Sequence, residues 1–196
     1  MNQGQANEPP PTLPDLLRHG LDVIFVGINP SLYSVAQGHY FARKTNRFWP
    51  AFSRSVLSST AREKIGVTQL EPLHDHLLVE HGFGFTDAVK RATSRATDLL
   101  PAEFASGVQA LVERLEFYQP RIACFHGIMA YRQVHRALTG TKSDPLLGLQ
   151  EIAIGSTRLY VVPNPSPANA HFTPADQTDW YDRLHACLAE LPRSSL

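Results

Sequence analysis

With 196 residues, 43% of them hydrophobic and 18% charged, the chain is long enough for one domain with a sizeable core, and its composition is that of an ordinary globular protein. Lys plus Arg (18) balance Asp plus Glu (18), which excludes a nucleic-acid binder relying on bulk positive charge and leaves only local basic patches for such a partner. Two cysteines and nine histidines without ligand spacing form no metal or iron–sulfur motif, and no long apolar run or signal core is present, so a cytoplasmic protein with no metal and no cofactor is expected.

Residues 1–11, polar and with three consecutive prolines, read as a disordered tail, and residues 12–196 as a single α/β domain. Thr12, Pro14 and Leu16-Leu17 predict a short helix ended by Gly20. Val23 to Val26 is an unbroken apolar run closed by Gly27 and Asn29-Pro30, the pattern of a strand buried on both faces that stops abruptly in a loop. Asn29 therefore stands just beyond the carboxyl end of a strand, where open α/β sheets place their ligands; the same Asn-Pro pair also suits an Asx turn.

Phe48, Trp49, Phe52, Val56 and Leu57 recur at helical spacing and predict a helix packed on the sheet. From Thr60 to His81 the pattern is weak, with short helices expected around Leu70 and Leu77. Residues 97–120 read as a long amphipathic helix with Phe104, Val108, Leu111 and Leu115 on one face. Arg121 to His126 is a second buried strand, and Gly127 opens a helix carrying Ala130, Tyr131 and Val134. Ile152–Ile154 and Leu159–Val162 bracket Gly155-Ser156 as a hairpin, whose second arm runs into a Pro-rich loop from Pro163 to Ala170. Thr173-Pro174-Ala175-Asp176 is a capped start for a last helix lined by Trp180, Leu184, Leu188 and Leu191. Strands alternating with helices predict a three-layer α/β sandwich with a mostly parallel central sheet, in which the loops after Val26, His126 and Val162 share one rim.

Gly27-Ile28-Asn29-Pro30, Gly38-His39, Asn46-Arg47-Phe48-Trp49 and Asn164-Pro165-Ser166 appear in that order. Through them the chain from Val23 to the last helix resembles the mismatch-specific uracil-DNA and thymine-DNA glycosylases of the uracil-DNA glycosylase superfamily. The resemblance implies a monomeric, monofunctional repair enzyme, nucleoid-associated in a bacterium. Such an enzyme flips uracil or another damaged or mismatched pyrimidine out of DNA and hydrolyses its N-glycosidic bond. The implied partner is double-stranded DNA with a G·U or related mismatch, with single-stranded DNA left open.

On the same resemblance, Asn29 holds a water beneath the anomeric carbon and Phe41 stacks on the flipped base. The backbone around Ile28 and Ser31, with Gly38, forms the base pocket, and Asn164, Ser166, Pro167, Ala168 and Asn169 form the wedge and opposite-strand loop. Arg43, Lys44, Lys90 and Arg91 suit DNA phosphates, and Arg47, Arg95 and the Arg132, His135, Arg136 cluster extend the basic patches.

Three departures qualify what carries over. Asp87 stands where the best-known bacterial members carry lysine; after Thr86 it reads equally as a helix cap or as a carboxylate facing the sugar, stabilising positive charge or orienting water. Ser31 replaces a usual glycine, and Ala168 replaces a large apolar wedge. These changes motivate a second reading, a base-sensing or nucleic-acid-binding module that has kept the fold and lost catalysis. A third reading, an enzyme of free nucleosides, is opposed by the basic patches.

Overall fold

The computed structural model describes residues 11–142 and 145–192, so the expected tail lies outside the described residues except for Pro11. A five-stranded sheet forms the middle layer. Its strands are β1 (Val23–Gly27), β2 (Phe83–Asp87), β3 (Ile122–His126), β4 (Gly148–Ile154) and β5 (Thr157–Val162), in the order β2-β1-β3-β5-β4. β1 runs parallel to β2 and β3, and β3 parallel to β5; only β4 is antiparallel, the first arm of the hairpin expected around Gly155-Ser156.

Because side chains alternate along a strand, each central strand feeds two cores. Val23 and Phe25 of β1, Ile122 and Cys124 of β3, and Tyr160 and Val162 of β5 pack on one face. That face is covered by α2 (Phe48–Arg54), α3 (Ser59–Ile65), α4 (Asp75–Leu78) and α7 (Pro174–Glu190). Ile24, Val26, Ala123, Phe125, Leu159 and Val161 face the other way, against α5 (Pro101–Tyr118) and α6 (Ile128–Thr139). Continuous apolar runs are what a sheet covered on both faces requires, which is why β1 was readable without alternation. A short helix α1 (Leu32–Gln37) follows β1 and ends at Gly38. Among the described residues no helix is long and apolar enough to cross a membrane.

Two expected elements differ. The segment from Thr12 to Gly20 is not helical. Pro11 and Pro14 suit an extended edge as well as a helix start, and Leu16 exchanges backbone hydrogen bonds of 3.0 and 2.9 Å with Phe85, covering the outer edge of β2. Leu70 is buried outside any helix, its amide bonded to the Ser53 hydroxyl at 2.6 Å, whereas Leu77 does lie in α4.

Candidate active site

Four parallel strands end on one rim, and there a cleft of about 540 Å³ opens. Ile28, Asn29 and Ser31 line it from the end of β1, Asp87 from β2, His126 from β3, and Asn164 to Ala168 from the loop after β5. The convergence expected for the loops after Val26, His126 and Val162 is present, with the end of β2 as a fourth contributor.

Asn29 is held by its amide nitrogen. Nδ2 donates to the carbonyl of Arg91 at 2.9 Å, to Thr93 Oγ1 at 2.8 Å and to the Pro30 carbonyl at 3.3 Å. Thr93 in turn donates to the Arg95 carbonyl, so its oxygen is oriented to accept. Only one flip of the amide satisfies these acceptors, and it leaves Oδ1 without a donor among the described residues. The side chain is thus a fixed acceptor at the mouth of the strand.

Asp87 is the last residue of β2, paired in register with Gly27, and no helix begins there; the reading as a helix cap is overturned. Its side chain is buried in the cleft wall, and Oδ2 has no hydrogen-bond partner among the described residues. Burial raises its pKa from 3.8 to about 7. Lys90 and Arg114 pull it down and Asp15 pushes it up, but desolvation outweighs them. The carboxyl group also explains Gly27: a Cβ there would collide with Asp87 Oδ1.

Phe41 adopts a left-handed backbone with φ of 52°, a conformation costing a non-glycine residue about 1–3 kcal/mol and found preferentially at functional sites. The turn is held from both sides. Asp75 of α4 accepts the Tyr40 amide at 2.9 Å and lies 3.1 Å from His39 Nδ1, while Trp49 Nε1 donates to the Tyr40 carbonyl at 2.9 Å. The Phe41 ring lies on Phe48, with centroids 4.3 Å apart and planes within 15°, and meets the edge of His126. His126 is buried and bonded through Nε2 to Tyr181 Oη at 3.0 Å; burial pushes its pKa down to about 3, so it is a neutral wall at physiological pH.

The remaining expected residues divide. Ser31 lines the cleft, but its hydroxyl serves as the N-cap of α1, accepting from the Ser34 amide at 3.0 Å. Gly38 does not line the cleft; it takes a left-handed conformation that stops α1. Asn164, Ser166, Pro167 and Ala168 line the cleft, whereas Asn169 braces their loop by donating to the Asn164 carbonyl at 3.0 Å. Arg47, grouped above with the basic patches, is a brace too. Its guanidinium donates to the carbonyls of Asn169 and Phe172 at 2.9 and 2.5 Å, and its backbone amide to Pro165.

The cations expected to meet phosphates also differ among themselves. Arg43 and Lys44 are exposed, and none of the ion pairs among the described residues involves them. Lys90 pairs with Asp15 at 2.8 Å, and Arg91 makes a fork to Glu103 at 2.5 and 2.8 Å that ties the post-β2 segment to α5. Arg95 lines the cleft with a loosely paired, 79% exposed side chain. Thr93, His126 and the bracing role of Arg47 were not anticipated from sequence. Their partners lie far along the chain, and no local pattern marks them.

The family model of the Uracil DNA glycosylase superfamily matches residues 14–185 of the chain. Among solved structures, similarity extends to a solution NMR structure from Methanosarcina acetivorans, described there as a "putative Uracil DNA glycosylase". The two are 19% identical over 89% of this chain and 97% of that one, with a TM-score of 0.55, a likeness of fold.

Proposed function

Because the chain belongs to the uracil DNA glycosylase superfamily, whose substrate is DNA, we propose that its cleft takes up a flipped uracil or related mismatched pyrimidine and hydrolyses the N-glycosidic bond. In this reading the protein is a monofunctional, cofactor-free monomer of the mismatch-specific type. The observation that carries the reading is the pairing, at the ends of two adjacent strands, of an amide whose oxygen is left as an acceptor and a buried carboxyl group without a partner.

The chemistry follows from those two groups. The bond from C1′ to N1 breaks with its electron pair leaving on the base, and positive charge develops on the sugar. A water bonded to Asn29 Oδ1 adds to C1′; an amide oxygen orients it but does not take its proton. Asp87 in its carboxylate form stabilises the sugar cation and accepts that proton, a role open to it only above its raised pKa. Phe41, backed by Phe48, offers the ring on which the base stacks, and the braced loop after Asn164 faces the gap the base leaves.

The test is single-turnover release of uracil from a labelled duplex with one G·U pair, with A·U, G·T and single-stranded substrates beside it, for wild type and Asn29→Ala. Release by wild type that falls at least ~100-fold in the variant is expected, as for loss of a group that positions a reactant. Binding without release from any substrate would replace this reading with the base-sensing module.

A further inference from the structure

Beside the cleft lies a second cavity, also of about 540 Å³, within the ~300–1,000 Å³ typical of small-ligand sites. Arg43 and Asn46 line both, so the two compartments adjoin. The walls of the second are largely apolar. Tyr33 and Leu73 are 38% and 50% exposed there, beside the buried Trp49. The Arg43 guanidinium stands 5.5 Å from the centre of the Tyr33 ring. Arg43 and Lys44 carry their charges at the rim against a single acid in the lining, Glu71.

An exposed aromatic ring, an aliphatic wall and unpaired cations form the kind of surface on which single-stranded nucleic acid binds, with bases stacked and phosphates neutralised. A duplex reaches such a pocket only by unpairing a second base beside the flipped one, a cost a single strand does not meet. We propose that this groove holds the unpaired base next to the flipped nucleotide in single-stranded DNA, stacked on Tyr33 against Leu73, with the intervening phosphate on Arg43 and Lys44. Arg43 leaves the Tyr33 face to meet that phosphate, exchanging a cation–π contact for a charge-assisted hydrogen bond. The proposal rests on the reading of the cleft as a base-excision site and adds a determinant of strand preference.

The experiment measures binding by fluorescence anisotropy to a single-stranded oligonucleotide carrying one non-cleavable 2′-fluoro-2′-deoxyuridine, and to the same oligonucleotide with abasic spacers on both sides of it. Removing the neighbouring bases is expected to weaken wild type at least about fivefold, the lower end of one base–aromatic stack. Tyr33→Ala should weaken the intact strand by a similar factor, leave the spacer strand and the matching duplex unchanged, and be rescued by Tyr33→Phe. An unchanged affinity of Tyr33→Ala for the intact strand, or an equal loss on all three ligands, overturns the proposal. Replacing the fluorinated uridine with cytidine tests the cleft separately. Loss of the uracil preference with the Tyr33 dependence intact refutes the excision site and leaves the groove.

Discussion

Asp87→Asn should stabilise the protein while disabling it. An unfolded Asp ionises near 3.8, but the folded side chain keeps its proton to about 7. Between those values the native state binds one proton more than the unfolded state, so its stability falls as pH rises, by ~1.4 kcal/mol per pH unit. Over that window the carboxyl group costs about 4 kcal/mol, fully expressed above pH 7 and absent below 4. Asparagine does not titrate and escapes this term. Urea midpoints of the two proteins, compared from about pH 5 to about pH 8, should diverge steadily in favour of the variant and then level off. The single-turnover rate of wild type should rise through about pH 7, and that limb should vanish in the variant; His126, neutral throughout, supplies none of it. A stability difference that stays flat over the window, or a variant less stable at about pH 8, would refute the assignment of a buried, unpaired carboxyl group.

Other outcomes follow from the braces and charges. Thr93→Val removes one acceptor of the Asn29 amide, so kcat should fall about tenfold with little change in KM, and Thr93→Ser should restore it. Arg47→Ala frees the loop after Asn164, whose Asn169 and Phe172 carbonyls both accept from the arginine Nη1; faster proteolysis within residues 164–172 and weaker DNA binding are expected. Neutralising Arg43 and Lys44 should each reduce the slope of log affinity against log salt by about 1. Neutralising Arg91 should instead lower thermal stability, because its charge is already matched by Glu103.

What was legible in the sequence was what short-range pattern encodes. The run Val23 to Val26 could only be a strand covered on both faces, and Thr173 with Pro174 and Asp176 could hardly be other than a helix start; the hydroxyl of Thr173 does accept the Asp176 amide at 3.2 Å. The Thr12–Gly20 segment misled because proline near a helix start and proline beside a sheet edge look alike; the deciding contact, Leu16 to Phe85, joins residues far apart in the chain. The same limit applies at the site. Asn29 could be placed at a strand end, but the direction of its oxygen depends on Thr93 and the Arg91 carbonyl, more than sixty residues away. Asp87 after Thr86 fits a helix cap and a carboxylate facing the sugar equally, and only its pairing with Gly27 on the neighbouring strand removes the cap.

Gly27 has a consequence for how such a chain can change. Any side chain at 27 occupies the space of the Asp87 carboxylate, so the two positions cannot vary independently. Alanine at 27 while the acid remains has to displace the carboxyl group from its slot in the cleft wall. A shorter residue at 87 makes room first, and the glycine is then free to go. Of the two orders in which the pair could be exchanged, only the one that gives up Asp87 first avoids a step in which the carboxyl group is pushed from its place. The acid is therefore a lock on its neighbour: while it keeps its place in the cleft wall, the strand beside it has room there only for glycine.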